Sequence, residues 1–116
     1  MNSGVLIIIE SDPRRSARPV EAMRIAAGVG AWRKVAVTLY LRREAALVLG
    51  EEAGALVDGE DYAQSLPVLR ELGRPVYVQK GAWAPVGTGQ AALPFEEISD
   101  DQLAAMAAAS GCVLRF

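Results

Sequence analysis

Val5-Leu6-Ile7-Ile8-Ile9-Glu10 is the stretch whose reading decides the fold. Its first five residues are apolar, and three isoleucines follow one another, so no polar face alternates with the apolar one. A run of that kind fits a strand buried on both sides, the strand type found inside a parallel sheet with helices above and below. Ser11-Asp12-Pro13 breaks it, and a long apolar segment begins after Pro19. Strand, polar loop and helix make the first half of a βαβ unit. In open α/β sheets, the loop leaving the carboxyl end of such a strand is where ligands bind.

The totals bound the rest. A chain of 116 residues is one domain by default and buries a modest core. With 52% hydrophobic and 22% charged residues it is globular rather than disordered. A net charge of −2 does not call for nucleic acid. The apolar runs stop well short of the ~18 residues that a membrane span needs. Met1-Asn2-Ser3-Gly4 runs straight into the strand without a basic region, so no targeting segment is expected. Cys112 is the single cysteine and histidine is absent. That excludes an intramolecular disulfide, zinc sites built on His and Cys, and every triad that relies on histidine.

Beyond the first strand, a helix is expected from near Pro19, with Arg18 or Ser16 as its cap. Between Pro19 and Val29 only Glu21, Arg24 and Gly28 interrupt the apolar residues. An apolar surface that broad exceeds the single face of an ordinary surface helix and predicts a subunit contact. Gly28-Val29-Gly30 is expected to end the helix. Arg33-Lys34 then lead into a strand over Val35–Tyr40. A short helix follows at Ala45–Leu49, stopped by Gly50, and Ala55-Leu56-Val57 reads as a brief strand or a packed loop. Tyr62, Leu66, Leu69 and Leu72 recur at helical spacing, with Pro67 kinking or restarting the helix and Gly73 closing it. Pro75–Gln79 is a strand, and Lys80–Pro94 a glycine- and proline-rich loop. Ser99-Asp100-Asp101-Gln102 has the capping-box pattern and opens a helix to Ser110, followed by a last strand from Cys112 to Phe116. This order predicts an α/β fold: a three-layer α/β/α sandwich around a mainly parallel sheet of four or five strands, flavodoxin-like.

In such a sheet every strand exits on one edge. Arg14, Arg15 and Arg18 follow the first strand, Arg42 and Arg43 the second, and Lys80 a later one. With Ser11, Asp12 and Gln79 they form a candidate rim for a small anion or an acidic partner, competing with the plainer reading of solvated loop charge. Asp12 before Pro13 is more simply a turn residue. Gly87-Thr88-Gly89 matches no phosphate-loop spacing. Glu96-Glu97 and Asp100-Asp101 flank a helix start, where capping explains the second pair better than a metal does. Trp83 is expected to be buried, over a pocket or at a contact. Cys112, beside Val113 and Leu114, reads as a small buried hydrophobe before it reads as a nucleophile.

The layout resembles the DsrE/DsrF/DsrH family of small sulfur-relay proteins, which includes the Tus subunits. The likeness is carried by Leu6–Pro13, by the alanine-rich helix after it, and by Thr38-Leu39-Tyr40-Leu41-Arg42-Arg43-Glu44-Ala45. It continues through Leu69–Val78, and Ile98–Phe116 is especially like the DsrH end of the family. The resemblance implies a cytoplasmic subunit assembling into homo-oligomers (dimers, trimers or hexamers) or with related DsrE-family subunits; neither a cofactor nor a metal is expected. From the net charge and the short apolar runs, no nucleic-acid or membrane partner is expected. Catalytic members carry a persulfide on a cysteine just after the strand that here is Pro75–Val78. Residue matching puts Gln79, or else Val78, at that place, and neither holds sulfur. A non-catalytic structural or partner-binding subunit is therefore expected. The alternatives are an anion-binding protein that uses the basic rim and a sulfurtransferase that uses Cys112.

Overall fold

The computed structural model describes residues 4–32, 35–84 and 90–116. In chain order its elements are β1 (Val5–Ile9), α1 (Arg18–Ala31), β2 (Val37–Leu41), α2 (Tyr62–Leu72), β3 (Val76–Gln79), β4 (Glu96–Ile98), α3 (Asp100–Ala109) and β5 (Cys112–Arg115). Three 3₁₀ segments, Arg43–Leu49, Ala53–Ala55 and Gly59–Asp61, link β2 to α2. The strands form one sheet in the order β4-β3-β2-β1-β5, and every neighbouring pair is parallel. The opening stretch therefore lies inside the sheet, with Ile7 beside Leu39 on one flank and Leu114 on the other.

The strand order dictates the layers. From β1 to β4 each crossover steps the same way, and right-handed connections keep them on one face. On that face Ile7, Ile9, Leu39, Leu41 and Val78 join Met23 and Ala26 of α1, Leu69 of α2, and Leu93 in the larger core. The step from β4 back to β5 crosses the whole sheet in the opposite direction and carries α3 over the other face. There Leu6, Ile8 and Tyr40 meet Ile98 and Leu103 in a smaller core. α3 meets the sheet through Leu103, which packs with Leu6, Ile8, Tyr40 and Ile98, and it leaves β5 uncovered. All four residues of β5 are exposed.

The fifth strand is not where the residues pointed. Ala55 ends a 3₁₀ segment, and Leu56 and Val57 follow as a half-buried loop, tied down by Val57 N–H donating to Pro13 O at 3.0 Å. The extra strand is Glu96–Ile98, three residues long with both glutamates exposed. The first helix begins where expected and departs from expectation only at its end. It starts at Arg18, whose N–H donates to Ser16 Oγ at 3.1 Å, and it runs through Gly28 and Gly30 to Ala31. Gly30 is where α1 meets α2: a Cβ there would sit 2.7 Å from Leu72 Cδ1. The broad apolar surface of α1 is thus used within the chain, one side on the sheet and one on α2, which leaves Ile25 and Trp32 exposed.

Arg33 and Lys34 lie outside the described residues. The residues after β2 wind as 3₁₀ rather than α-helix. In α2 the helix runs on through Pro67, and Gly73 closes it in the left-handed region at φ 64°. The capping box of α3 is complete, with Gln102 N–H donating to Ser99 Oγ at 3.2 Å and Ser99 N–H to Gln102 Oε1 at 2.8 Å. Among the described residues no helix is long and apolar enough to cross a membrane.

Candidate functional site

Because the strands are parallel, the loops after β1, β2 and β3 and the start of α3 share one edge. The strand order reverses between β1 and β5, and the crevice at such a switch point is the usual ligand position. Here the chain's own groups fill it. Glu10 N–H and Ser11 N–H both donate to Phe116 O, at 2.8 and 3.2 Å. Arg115 pairs with Glu10 at 3.0 Å. Arg18 Nη2 donates to Arg115 O at 3.3 Å, and its guanidinium stands 5.9 Å from the centre of the Phe116 ring. Arg18 thus leans toward β5 rather than toward the other arginines.

The loop after β1 is also self-contained. Asp12 accepts from Arg14 three times, from its N–H at 2.9 Å, Nε at 3.0 Å and Nη2 at 2.8 Å. Those bonds hold the Asp12 carboxyl below the usual carboxylate range and push the Arg14 guanidinium up. The Asp12 carbonyl also accepts from Arg15 and Ser16, so Asp12 builds the turn. Ser11 is half-buried and Arg15 is exposed beside it.

What remains open is the exit of β2 and β3. Arg42 N–H closes on Ile9 O at 2.9 Å, and Arg43 then turns into the left-handed region at φ 51°. Its N–H donates to Gln79 Oε1 at 3.0 Å, so the side chain that ends β3 holds the turn that ends β2. At the same edge Lys80 N–H donates to Ile98 O at 3.0 Å, and Gly81, at φ 85°, turns back so that Ala82 N–H reaches Gln79 O at 2.9 Å. Gly81 N–H also donates to Glu97 Oε1 at 3.4 Å. Among the described residues only Arg14 and Arg115 form ion pairs. Arg15, Arg43 and Lys80 are exposed and Arg42 is half-buried, and none of the four is in an ion pair with a described residue. Tyr40 lies below this edge with its hydroxyl buried and unpartnered. Burial pushes that hydroxyl's pKa up, Arg42 opposes the shift and Asp100 adds to it.

A non-glycine residue at positive φ costs about 1 kcal/mol. Arg43→Gly should therefore raise stability by up to about 1 kcal/mol while the Gln79 bond to the backbone survives. Chemical denaturation measures it, and a loss of stability would mean that the arginine side chain itself supports the turn.

Other groups lie elsewhere. A cleft of about 290 Å³ opens at the amino ends of β3 and β4, lined by Leu69, Arg70, Arg74, Tyr77, Phe95 and Glu96 among others. It does not suit an anion. The Arg70 and Arg74 guanidiniums donate to the carbonyls of Ala92 and Val37, and the negative end of the α2 dipole points there. Trp83 is half-buried against Phe95, ring centres 5.0 Å apart. Gly87-Thr88-Gly89 lies outside the described residues. Cys112, expected to be buried, is exposed because β5 is an uncovered edge strand. Cys112 aligns with Val5 at the amino end of the sheet, whereas Gln79 ends β3 on the opposite edge. Five residue levels and three strand spacings put the two roughly 20 Å apart.

The left-handed Arg43 and its bond to Gln79 had no signal in the residues, since a turn of that shape normally announces itself with Gly, Asn or Asp. No family model matches the sequence, and no curated protein matches it. Among solved structures, the crystal structure of the ychN protein from E. coli is similar, with a TM-score of 0.79 at 20% identity over 98% of this chain and 99% of that one. The two chains thus share one α/β fold almost from end to end, here with a five-stranded all-parallel sheet.

Proposed function

We propose that this chain is a non-catalytic, partner-binding subunit of the DsrE-like kind, connected with intracellular sulfur transfer and working as a homo-oligomer or beside related subunits. The shared fold with ychN, a DsrE/DsrF-like protein, supports the general type. The observation that carries the reading is at the exit of β3. Where relay members of that family are expected to bear a persulfide cysteine, this chain has Gln79 or else Val78, neither of which holds sulfur, and the Gln79 side chain is engaged with Arg43 N–H. An amide neither forms nor transfers a persulfide. Cys112 does not stand in for it, because it lies at the other end of the sheet and away from the basic edge.

The test is sulfur transfer. The protein is treated with a persulfide donor, washed, and offered a small thiol acceptor. Wild type and Cys112→Ser are expected to deliver equally little sulfur. A transfer rate that Cys112→Ser abolishes would overturn the reading in favour of a sulfurtransferase.

A second reading rests on the unpaired charges of Arg15, Arg42, Arg43 and Lys80, which suit a small anion such as phosphate or sulfate. Backbone shifts near Arg42 and Lys80 on titration with sulfate would support it.

A further inference from the structure

We infer that the β5 edge is a self-association surface, and that two copies pair there antiparallel about a two-fold axis at Val113. This extends the subunit reading above, and its test does not depend on sulfur chemistry.

The two edges of the sheet differ. The β4 edge is three residues long and carries Glu96 and Glu97, both exposed, which is how natural proteins blunt an edge. The β5 edge has no proline, no lysine and no bulge, and its one charge, Arg115, is held by Glu10. Its apolar side chains are open on both faces of the sheet: Val113 is 37% exposed and Leu114 38%. Val113 aligns with Leu6 and so shares the α3 face, while Leu114 aligns with Ile7 on the α1 face.

The backbone has the matching pattern. Phe116 N–H donates to Ile8 O, Glu10 N–H to Phe116 O, and Cys112 N–H to Gly4 O, so residues 112, 114 and 116 bond inward to β1. The N–H and C=O of Val113 and the N–H of Arg115 then point outward. Arg115 O is already taken by Arg18, and Gly111 N–H by Gly4 O. A two-fold axis at Val113 uses what is left: Val113 exchanges both bonds with its counterpart, and Arg115 N–H reaches Gly111 O of the partner subunit.

The same register sets Cys112 opposite Leu114 of the partner subunit and Arg115 opposite Gly111 of the partner subunit. No like charges meet, and both apolar side chains are covered. A second copy fits better than the β4 edge of another molecule, because β5-to-β4 pairing does not close and would grow into fibres.

Two measurements test this. The solution mass is determined by sedimentation for wild type and for Val113→Lys, which places two ammonium groups face to face on the axis. In parallel, Leu114→Cys is oxidised gently with the native Cys112 present. Within one chain these positions are two residues apart on an extended strand, too far for a disulfide. Across the axis they are directly opposed, in the closer kind of antiparallel pair. The expected results are a wild-type assembly that Val113→Lys weakens at least tenfold, and a disulfide between the introduced thiol and Cys112 of the partner subunit. A monomeric wild type, an assembly that Val113→Lys leaves intact, or crosslinks joining only Cys112 to Cys112 would each overturn the proposal. The crosslink carries the test even if Val113→Lys does not fold.

Discussion

Replacing Ile7 with alanine is expected to cost about 2–5 kcal/mol of stability, and replacing Ile8 is expected to cost about as much. The two side chains leave β1 on opposite faces. Ile7 enters the core under α1 and α2, and Ile8 enters the one under α3. Both are essentially fully buried, so each truncation loses transfer free energy and leaves a cavity that close neighbours on both flanking strands cannot easily fill. A strand with one wet face would behave differently, since one of the pair would then be nearly silent. In a domain of this size each kcal/mol moves the thermal midpoint by about 4 °C, so both variants should melt well below wild type. Ile8→Ala also tests the smaller core, where Leu6, Tyr40, Ile98 and Leu103 are the other buried members among the described residues. If Ile8→Ala proves mild, α3 rests on the sheet more loosely than its packing indicates.

The second large effect is expected at Gly59. A Cβ built there would lie 2.4 Å from Gly54 O, 2.5 Å from Ala53 O and 2.6 Å from Gly54 C. These are backbone atoms, so no rotamer change makes room, and the 3₁₀ segments that lead into α2 must move apart. Gly59→Ala should cost about 2–3 kcal/mol, the upper range for overpacking. Gly28→Ala is the control. It changes an exposed position inside α1 with nothing within 4 Å of the new carbon, and should stabilise by up to about 1 kcal/mol because alanine loses less backbone freedom than glycine in a helix. Urea midpoints for the pair should fall on either side of wild type. Two shifts of the same sign would mean that the close approach around Gly59 is relieved at little cost.

The residues carried the architecture further than the detail. Val5–Ile9 announced a doubly buried strand because nothing polar alternates within it, and Ser99-x-x-Gln102 announced the start of α3 because the capping bonds need those side chains at that spacing. Glu96–Ile98 stayed hidden, since it is too short to show a period and its exposed acids resemble a loop. Gly28 and Gly30 looked like a helix end. Only the close approach of Leu72 shows why a glycine sits inside the helix at Gly30. Cys112-Val113-Leu114 looked like a buried strand, because an apolar run does not reveal whether a helix covers it.

The edge that gathers the candidate site was legible from the parallel order alone. Which cations stay unpaired there was not, because the partners of Arg14, Arg18 and Arg115 come from turns and from a strand brought close only by the fold. That Gln79 ends a strand was legible in the run Pro75–Gln79, but its grip on the Arg43 backbone was not.

Native-state amide exchange, resolved residue by residue, tests the central placement most directly. β1 has parallel neighbours on both sides, so its amides over Leu6–Ile9 should exchange only through global unfolding, while the outward Val113 amide of dilute protein exchanges far faster. Amides over Leu6–Ile9 that exchange as readily as that of Val113 would contradict it, and would move the opening strand from the middle of the sheet to its margin.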